Sequence, residues 1–464
     1  MVESFTVDSE LLRRYDVAGP RYTSYPTAPQ FSATFGEREL RQAISVTNDD
    51  PIPRSLSVYV HVPFCRSACF YCGCNRVISQ DRARGEAYLV RLYHEVELIA
   101  SLIDRDREVV QLHFGGGTPN FLSPTQLGEA VDTLRRQFRL SRSVDAEMSI
   151  ELDPRALSPG DVSELAAIGF NRASLGVQDF DPEVQQAVNR VQSVEQTLSI
   201  IEACRRHGMR SVGVDLIYGL PRQNEAGFAA TLDTVIAARP DRVAVYGYAH
   251  LPQLFKAQRP IRADDLPSPA GKLALLMLAI RKLMASGYRY IGMDHFALPD
   301  NELALAQERG TLHRNFMGYT THADTDLVSF GMSAISHVGA TFSQNHRELD
   351  RWQGAVDEGR LPVFRGLHMS PDDILRSDLL QHLMCNAEIP VAALERRHEI
   401  CFEDYFKDAL RRLQPMIDDG LVRIKGDRIV ASPQGRLLLR NIAMCFDHYL
   451  DAAESAPIKF SRAI

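Results

Sequence analysis

The sequence predicts an α/β protein: a parallel sheet covered by helices, which a closed or partial barrel accommodates, followed by a mostly helical C-terminal segment. Six short, near-continuously apolar, β-branched runs alternate with amphipathic stretches, as strands buried on both faces do when helices connect them. The alternation stops near residue 365, and helical patterns take over.

The strand candidates are SLSVYVHV, VVQLHF, AEMSIEL, RASLGVQ, SVGVDLIY and RVAVYGY. Between them lie helical patterns such as EAYLVRLYHEVELIASLI and VEQTLSIIEACRRHG, the second closed by Gly208. Residues 1–50, rich in Tyr, Pro and Ser, read as an N-terminal strap over the barrel mouth; 51–365 form the barrel, and 366–464 a helical C-terminal domain. In that last part DDILRSDLLQHLM, FKDALRRLQPMIDDG, a hairpin in VRIKGDRIVASPQG and RLLLRNIAMCFDHYL follow in the order of a winged helix. Leu375, Leu379, Leu380 and the LLL run fit core packing, and Asp418 and Asp419 interrupt the basic residues, so a helical cover is expected rather than a DNA reader.

With 464 residues and 45% hydrophobic content, the chain can bury a large core in roughly two or three domains. No apolar run approaches the ~20 residues that span a bilayer, and MVESFTVDSE has neither a cationic n-region nor an apolar h-region. A cytoplasmic protein with no membrane partner is expected. A net charge of −7 argues against a nucleic-acid-binding surface over the whole molecule but leaves room for a local basic pocket.

Four cysteines, Cys65, Cys69, Cys72 and Cys74, crowd into HVPFCRSACFYCGCN. The Cys-x3-Cys-x2-Cys spacing lets one loop aim three thiolates at three corners of a [4Fe–4S] cluster, leaving one iron open to a small molecule. A structural zinc site takes paired units separated by a longer loop, and no second pair follows. A thioredoxin-like pair uses Cys69 and Cys72 but leaves Cys65 idle. Cys204, Cys385, Cys401 and Cys445 sit among apolar neighbours and read as small core residues.

Polar groups recur near the C-terminal ends of the six strands: Cys65, the GGGTP run (115–119), Glu151, Gln178, Asp215 and Tyr248. Barrel enzymes build their sites at that rim. Singly, each has a structural reading: Glu151 as a turn carboxylate, Asp215 as a buried partner. The three glycines either form a tight turn or let backbone approach a ligand; neither a Walker A nor a G-x-G-x-x-G pattern is present. Beside an open iron, the fitting ligand is the amino-acid end of S-adenosylmethionine, with Phe70 and Tyr71 near its adenine.

Here the chain resembles the radical S-adenosylmethionine superfamily and, within it, the oxygen-independent coproporphyrinogen III oxidases. The resemblance rests on GPRYTSYPTA, YVHVPFCRSACFYCGCN, LHFGGGTP, IELDPR, GFNRASLGVQDF, VDLIYGLP, YAHLP, GMDHFA, LHRNFMGYTT, MCFDHYL and the FSRAI end. It implies a partial (β/α)6 barrel holding one [4Fe–4S] cluster on Cys65, Cys69 and Cys72, with two S-adenosylmethionine molecules. By motif position, Tyr59, Gly116, Glu151 and Ile335 would contact the first molecule; Tyr71, Gly117, Thr118, Gln178, Arg190, Asp215 and Ala249 would contact the second. The implied reaction converts two propionates of coproporphyrinogen III to vinyl groups by way of a 5′-deoxyadenosyl radical, without oxygen, in a monomer served by an unidentified electron donor and acceptor. Met317 stands where some relatives carry glutamine.

For four substrate carboxylates the candidates are Arg21, Arg190 and Arg314, arginine suiting bidentate binding. Tyr59 and His61 are candidate catalytic groups for hydrogen or proton handling; stacking by Tyr59 and loop fixing by His61 explain them equally well. The rival functions are a haem-binding, chaperone-like relative without decarboxylase activity and an iron–sulfur DNA-binding regulator. Cys74 and GPRYTSYPTA resemble the oxidase branch, and the chain lacks a clear basic recognition face.

Overall fold

The computed structural model describes residues 9–452, so residues 1–8 and the FSRAI end (460–464) lie outside the described residues. Two compact units form. Residues 31–279 and 324–368 make the larger; the described parts of the smaller are 9–30, 280–323 and 369–452. The expected boundaries at 50 and 365 therefore fall inside stretches that compactness keeps together, and residues 31–50 group with the barrel.

All six expected strands form. In chain order the larger unit runs α1 (Glu37–Asn48), β1 (Ser55–Val62), α2 (Ala83–Ala100), β2 (Glu108–Gly116), α3 (Pro124–Gln137) and β3 (Glu147–Leu152). It continues with α4 (Pro159–Ile168), β4 (Arg172–Gln178), α5 (Val194–Arg206), β5 (Ser211–Tyr218), α6 (Glu225–Ala238) and β6 (Arg242–Gly247). The helix starts follow local chemistry: the side chains of Ser123, Ser158, Ser193 and Asn224 accept backbone N–H groups of the first turn, and Pro124 and Pro159 fill first positions where no N–H is needed. Gly208, with φ +79°, ends α5 as expected.

Strands β6, β5, β4, β3, β2 and β1 lie side by side in that order, all parallel. Beyond β1 the sheet extends through a parallel β7 (Thr325–Phe330) and then antiparallel β8 (Ile335–Val338), β9 (Thr341–Asn345) and β10 (Val363–His368). Among the described residues β6 and β10 do not pair, so these ten strands do not close into a barrel.

Two buried polar knots hold β1, β2 and β7 together. At one end Arg107 donates to Asp326 at 2.6 Å, with the two side chains 1% and 2% exposed. At the other, Glu95 of α2 accepts hydrogen bonds from Gly331 N (2.8 Å), Asn345 Nδ2 (2.6 Å) and Trp352 Nε1 (3.1 Å). Tyr88, seven residues earlier on the same helix, donates its hydroxyl to the His61 carbonyl and accepts the Met332 N–H. Helix α2 thus fixes the end of β1, where the cysteine loop begins.

In the smaller unit α7 (Pro371–Asn386), β11 (Glu388–Pro390), α8 (Val391–His398), α9 (Lys407–Asp418), β12 (Val422–Lys425), β13 (Arg428–Ala431) and α10 (Leu439–Cys445) give the expected winged-helix order. The hairpin β12–β13 turns at Gly426, and β11 adds a third strand. Leu375, Leu379 and Leu380 are buried. The strap residues pack here: Tyr22 donates to Asp447 at 2.9 Å, and buried Arg440 donates to the carbonyls of Gly19 and Pro20. Among the described residues, no helix is long and apolar enough to cross a membrane.

Candidate active site

Because side chains alternate along a strand, a polar row forms on one face of the parallel strands. Tyr59, His113 and Ser149 stand in register on β1, β2 and β3; Glu151 is opposite Ser174 on β4, and Gly176 is opposite Asp215 on β5. Of these, Glu151, Ser174, Gly176 and Asp215 border a cavity of about 470 Å³ at the strand C-termini. Lining it are Cys65, Cys69, Cys72 and Cys74 with Tyr71; from the glycine run Gly116, Gly117 and Thr118; and from β3 to β5 Glu151, Gln178 and Asp215. Arg190, just after the fourth βα unit begins its helical turn, closes the wall.

Four other expected site residues do not line that cavity. Tyr59 and His61 lie beneath it, Ala249 offers its carbonyl to Gln258, which also bonds the Tyr71 carbonyl, and Ile335 opens β8, its carbonyl held by Ser329. The sixth strand corrects one expectation. Tyr246 lines the cavity, whereas Tyr248 lies beyond the end of β6, buried with Ile217, Leu220 and Ile261. Arg314, a candidate for a substrate carboxylate, is buried, and its Nη1 donates to the carbonyls of Arg21 and Tyr22.

The glycine run explains itself sterically. Gly116 has φ +120°, a conformation side chains disfavour. A Cβ on Gly117 would lie 2.5 Å from the Pro63 carbonyl oxygen, so this loop passes flush against the segment leading into Cys65. Gly116 N donates to Glu151 Oε2 at 3.2 Å.

His61 fixes the cysteine loop. Its Nε2 lies 3.0 Å from the Asn75 carbonyl, which can only accept, so Nε2 carries the hydrogen and Nδ1 accepts from Tyr59 Oη at 3.0 Å. Burial pushes the Tyr59 hydroxyl well up and the His61 imidazole down, keeping both neutral. Burial also opposes ionisation of Glu151, but the His113 hydrogen bond and charge and the Gly116 N–H outweigh it and hold the carboxyl below its usual range. Asp215 goes the other way: burial, then the Glu151 charge, pushes it up to about 7 despite the Ser174 hydroxyl at 3.3 Å.

The residues present fit an iron–sulfur cluster with S-adenosylmethionine. A cubane takes one thiolate at each of three separate irons, so its ligands need not converge on one point; among the described residues no group of three His, Cys, Asp or Glu does so. The cavity beside the sulfurs offers acidic groups for an ammonium and hydroxyls, a glycine cradle, and a buried Arg190 Nε with no partner among the described residues. Sequence reasoning missed Arg155 and Asp153, which line the same cavity, although both stand in the IELDPR motif.

Residues 59–235 match the model of the radical SAM superfamily, and 369–438 that of the HemN C-terminal domain. Over 464 residues the chain is 48% identical to the oxygen-independent coproporphyrinogen III oxidase of Pseudomonas aeruginosa, covering 100% of both chains. The chain belongs to the oxygen-independent coproporphyrinogen III oxidase family. The Escherichia coli member is 45% identical over 463 residues, again covering 100% of each chain. A solved structure, described as coproporphyrinogen III oxidase from Escherichia coli and a radical SAM enzyme, superimposes with a TM-score of 0.90 at 45% identity, covering 95% of this chain and 99% of that one. Membership of this family implies a [4Fe–4S] cluster and S-adenosylmethionine.

Proposed function

We propose that this chain carries out the oxygen-independent oxidative decarboxylation of coproporphyrinogen III, turning two propionate side chains into vinyl groups and giving protoporphyrinogen IX for haem synthesis. The observation that carries the reading is a cavity at the strand C-termini with the cysteine loop on its rim and Glu151 and Asp215 inside, in a chain alike end to end to these oxidases.

When bound, the cluster and S-adenosylmethionine supply a 5′-deoxyadenosyl radical, which takes a hydrogen atom from a propionate β-carbon. Each propionate then loses CO2 and one further electron, which leaves with an acceptor. In this reading Cys65, Cys69 and Cys72 hold the cluster. Tyr59, Gly116, Glu151 and Ile335 contact the S-adenosylmethionine at the open iron, Glu151 being the ionised group in the cavity wall suited to its ammonium. Tyr71, Gly117, Thr118, Gln178, Arg190, Asp215 and Ala249 hold a second molecule. His61 and Tyr59, paired and neutral, fix the cysteine loop through the Asn75 carbonyl.

The same reading has the enzyme a cytoplasmic monomer with an unidentified electron donor and acceptor and no nucleic-acid or membrane partner. Met317 sits at a hairpin tip, its N–H bonded to Asn315 Oδ1, and its thioether gives a propionate no hydrogen bond donor. The test is anaerobic incubation of reconstituted protein with reductant, S-adenosylmethionine and coproporphyrinogen III. Protoporphyrinogen IX and 5′-deoxyadenosine are expected. A stable haem complex without decarboxylation would favour the chaperone-like alternative.

A further inference from the structure

The IELDPR motif contributes more than Glu151. Asp153 begins a short turn in which its carboxylate receives Arg155 through three contacts: Nε to Oδ1 at 3.0 Å, Nε to Oδ2 at 3.1 Å and Nη2 to Oδ2 at 2.6 Å. The same carboxylate receives Arg190 from the next βα unit, Nη1 to Oδ2 at 3.4 Å and Nη2 to Oδ1 at 3.3 Å. Both guanidinium groups then reach one atom. Arg190 Nη1 lies 3.6 Å and Arg155 Nη2 3.9 Å from Cys69 Sγ, within range of N–H···S hydrogen bonds.

The backbone that carries this carboxylate is itself pinned. Asn120, directly after the GGGTP run, donates its Nδ2 to the Asp153 carbonyl (3.0 Å) and accepts the Asp153 N–H on Oδ1 (2.9 Å). Arg190 is held a second time, Nη2 donating to the Gly176 carbonyl at 2.5 Å. With Cys69 as thiolate the local charges balance, two guanidiniums against one carboxylate and one sulfur. Cys69 is 8% and Arg190 7% exposed, and the Asp153 and Arg155 side chains are 12% and 22% exposed, so the network is mostly withdrawn from solvent.

We propose that Arg155 and Arg190, bridged by Asp153, clamp the Cys69 sulfur and set how readily the cluster accepts its electron, with Arg155 a positioning residue acting through that sulfur. The proposal rests on the reading that Cys69 ligates the cluster. Reduction adds one electron, taken from the reductant, and no proton, and the added charge spreads over the irons and their sulfur ligands. N–H donors and positive charge beside a ligand sulfur favour the reduced form, and hydrogen bonds to sulfur are a principal lever on cluster potentials. A low-dielectric wall strengthens the effect. Arg190 also borders the cavity with its free Nε, so its replacement would confound potential with cofactor binding. Arg155 lines the cavity too, but its Nε and Nη2 go to Asp153 and the sulfur, with no unpartnered Nε left over, so with S-adenosylmethionine kept out of the titration it is the cleaner probe.

The test uses reconstituted full-length holoprotein, in the wild type and in Arg155→Met, Arg155→Lys and Asp153→Asn. The readout is the cluster midpoint potential, from an anaerobic redox titration followed by electron paramagnetic resonance without S-adenosylmethionine, with iron and sulfide contents measured alongside. Arg155→Met should shift the midpoint down, so that a smaller fraction of cluster is reduced at a fixed dithionite potential, and Arg155→Lys should fall between it and wild type. Asp153→Asn removes a negative charge from the same network and should shift the midpoint up. A fully loaded Arg155→Met protein with an unshifted midpoint overturns the proposal, as do Met and Asn variants shifted in the same direction. If the Met variant fails to load, an unshifted Lys variant is equally decisive against it. Failure of the decarboxylase reading would show instead as wild-type protein with an ordinary reducible cluster and no protoporphyrinogen.

Discussion

Asp215→Asn separates a cofactor-holding carboxylate from a structural one. Burial and the neighbouring Glu151 push the Asp215 carboxyl up to about 7, so it is protonated below that pH and ionised above it. Hydroxyls of a bound ribose can donate only to the ionised form at full strength. At pH 6 about one-tenth of the protein is then competent, and kcat/KM for S-adenosylmethionine climbs about tenfold in all between pH 6 and 8, most of it below 7, since that parameter reports the free enzyme. A hydrogen bond to a charged group contributes about 1.5–3 kcal/mol, so the Asn variant should sit about one to two orders of magnitude below the wild-type plateau, with no slope. The assay is initial-rate 5′-deoxyadenosine formation under anaerobic conditions at pH 6 to 8, with iron content checked. Linkage gives a second arm. A raised carboxylate pKa means that the folded apo protein loses stability as pH rises from the unfolded value through about 7, so at pH 8 the Asn variant should unfold at a higher temperature than wild type. A flat wild-type profile, or a slope that survives in the variant, would refute the reasoning; a less stable variant at pH 8 would return Asp215 to a structural role through Ser174.

Four further outcomes follow from the same structure. Cys65→Ser, Cys69→Ser and Cys72→Ser should each abolish the cluster's visible absorption and all S-adenosylmethionine cleavage, while Cys74→Ser keeps the absorption; loss of iron from Cys74→Ser equal to the others would sink the open-iron model. Gly117→Ala puts a Cβ 2.5 Å from the Pro63 carbonyl oxygen and 2.7 Å from its carbon, both backbone atoms, so the loop into Cys65 must move and iron per chain should fall with the fold retained by circular dichroism. Tyr22→Phe takes one donor from buried Asp447, at a cost of about 1–3 kcal/mol, read as a lower thermal midpoint with unchanged cluster content. Deleting residues 1–30 outright would instead strip Arg314 and Arg440 of their carbonyl partners, so it should destabilise the smaller unit before it reports on substrate.

The features legible in the sequence were local. Near-continuous apolar runs announced β1 to β6 because both faces of these strands are covered, as in β5, where seven of eight residues are buried. The cysteine spacing announced the loop because its three ligands come from one short segment. Tyr248 misled because it shares parity with Tyr246, but the strand ends at Gly247 and the chain turns the second ring into the core. The bonds of Arg314 left no trace because the carbonyls it serves, at residues 21 and 22, lie nearly three hundred residues away. The Asp153–Arg190 pair left no periodic trace for the same reason, as it joins residues 37 apart across two βα units. The antiparallel strands β8 to β10 are short and partly polar, with no helical spacer to mark them.

The most direct test of the central claim is hydrogen bookkeeping on the substrate. Coproporphyrinogen III deuterated at the propionate β-carbons, incubated anaerobically with reconstituted protein, reductant and S-adenosylmethionine, should yield protoporphyrinogen IX together with 5′-deoxyadenosine carrying one deuterium for each vinyl group formed, measured by mass spectrometry. Protoporphyrinogen IX formed alongside unlabelled 5′-deoxyadenosine would contradict a β-hydrogen abstraction at this site.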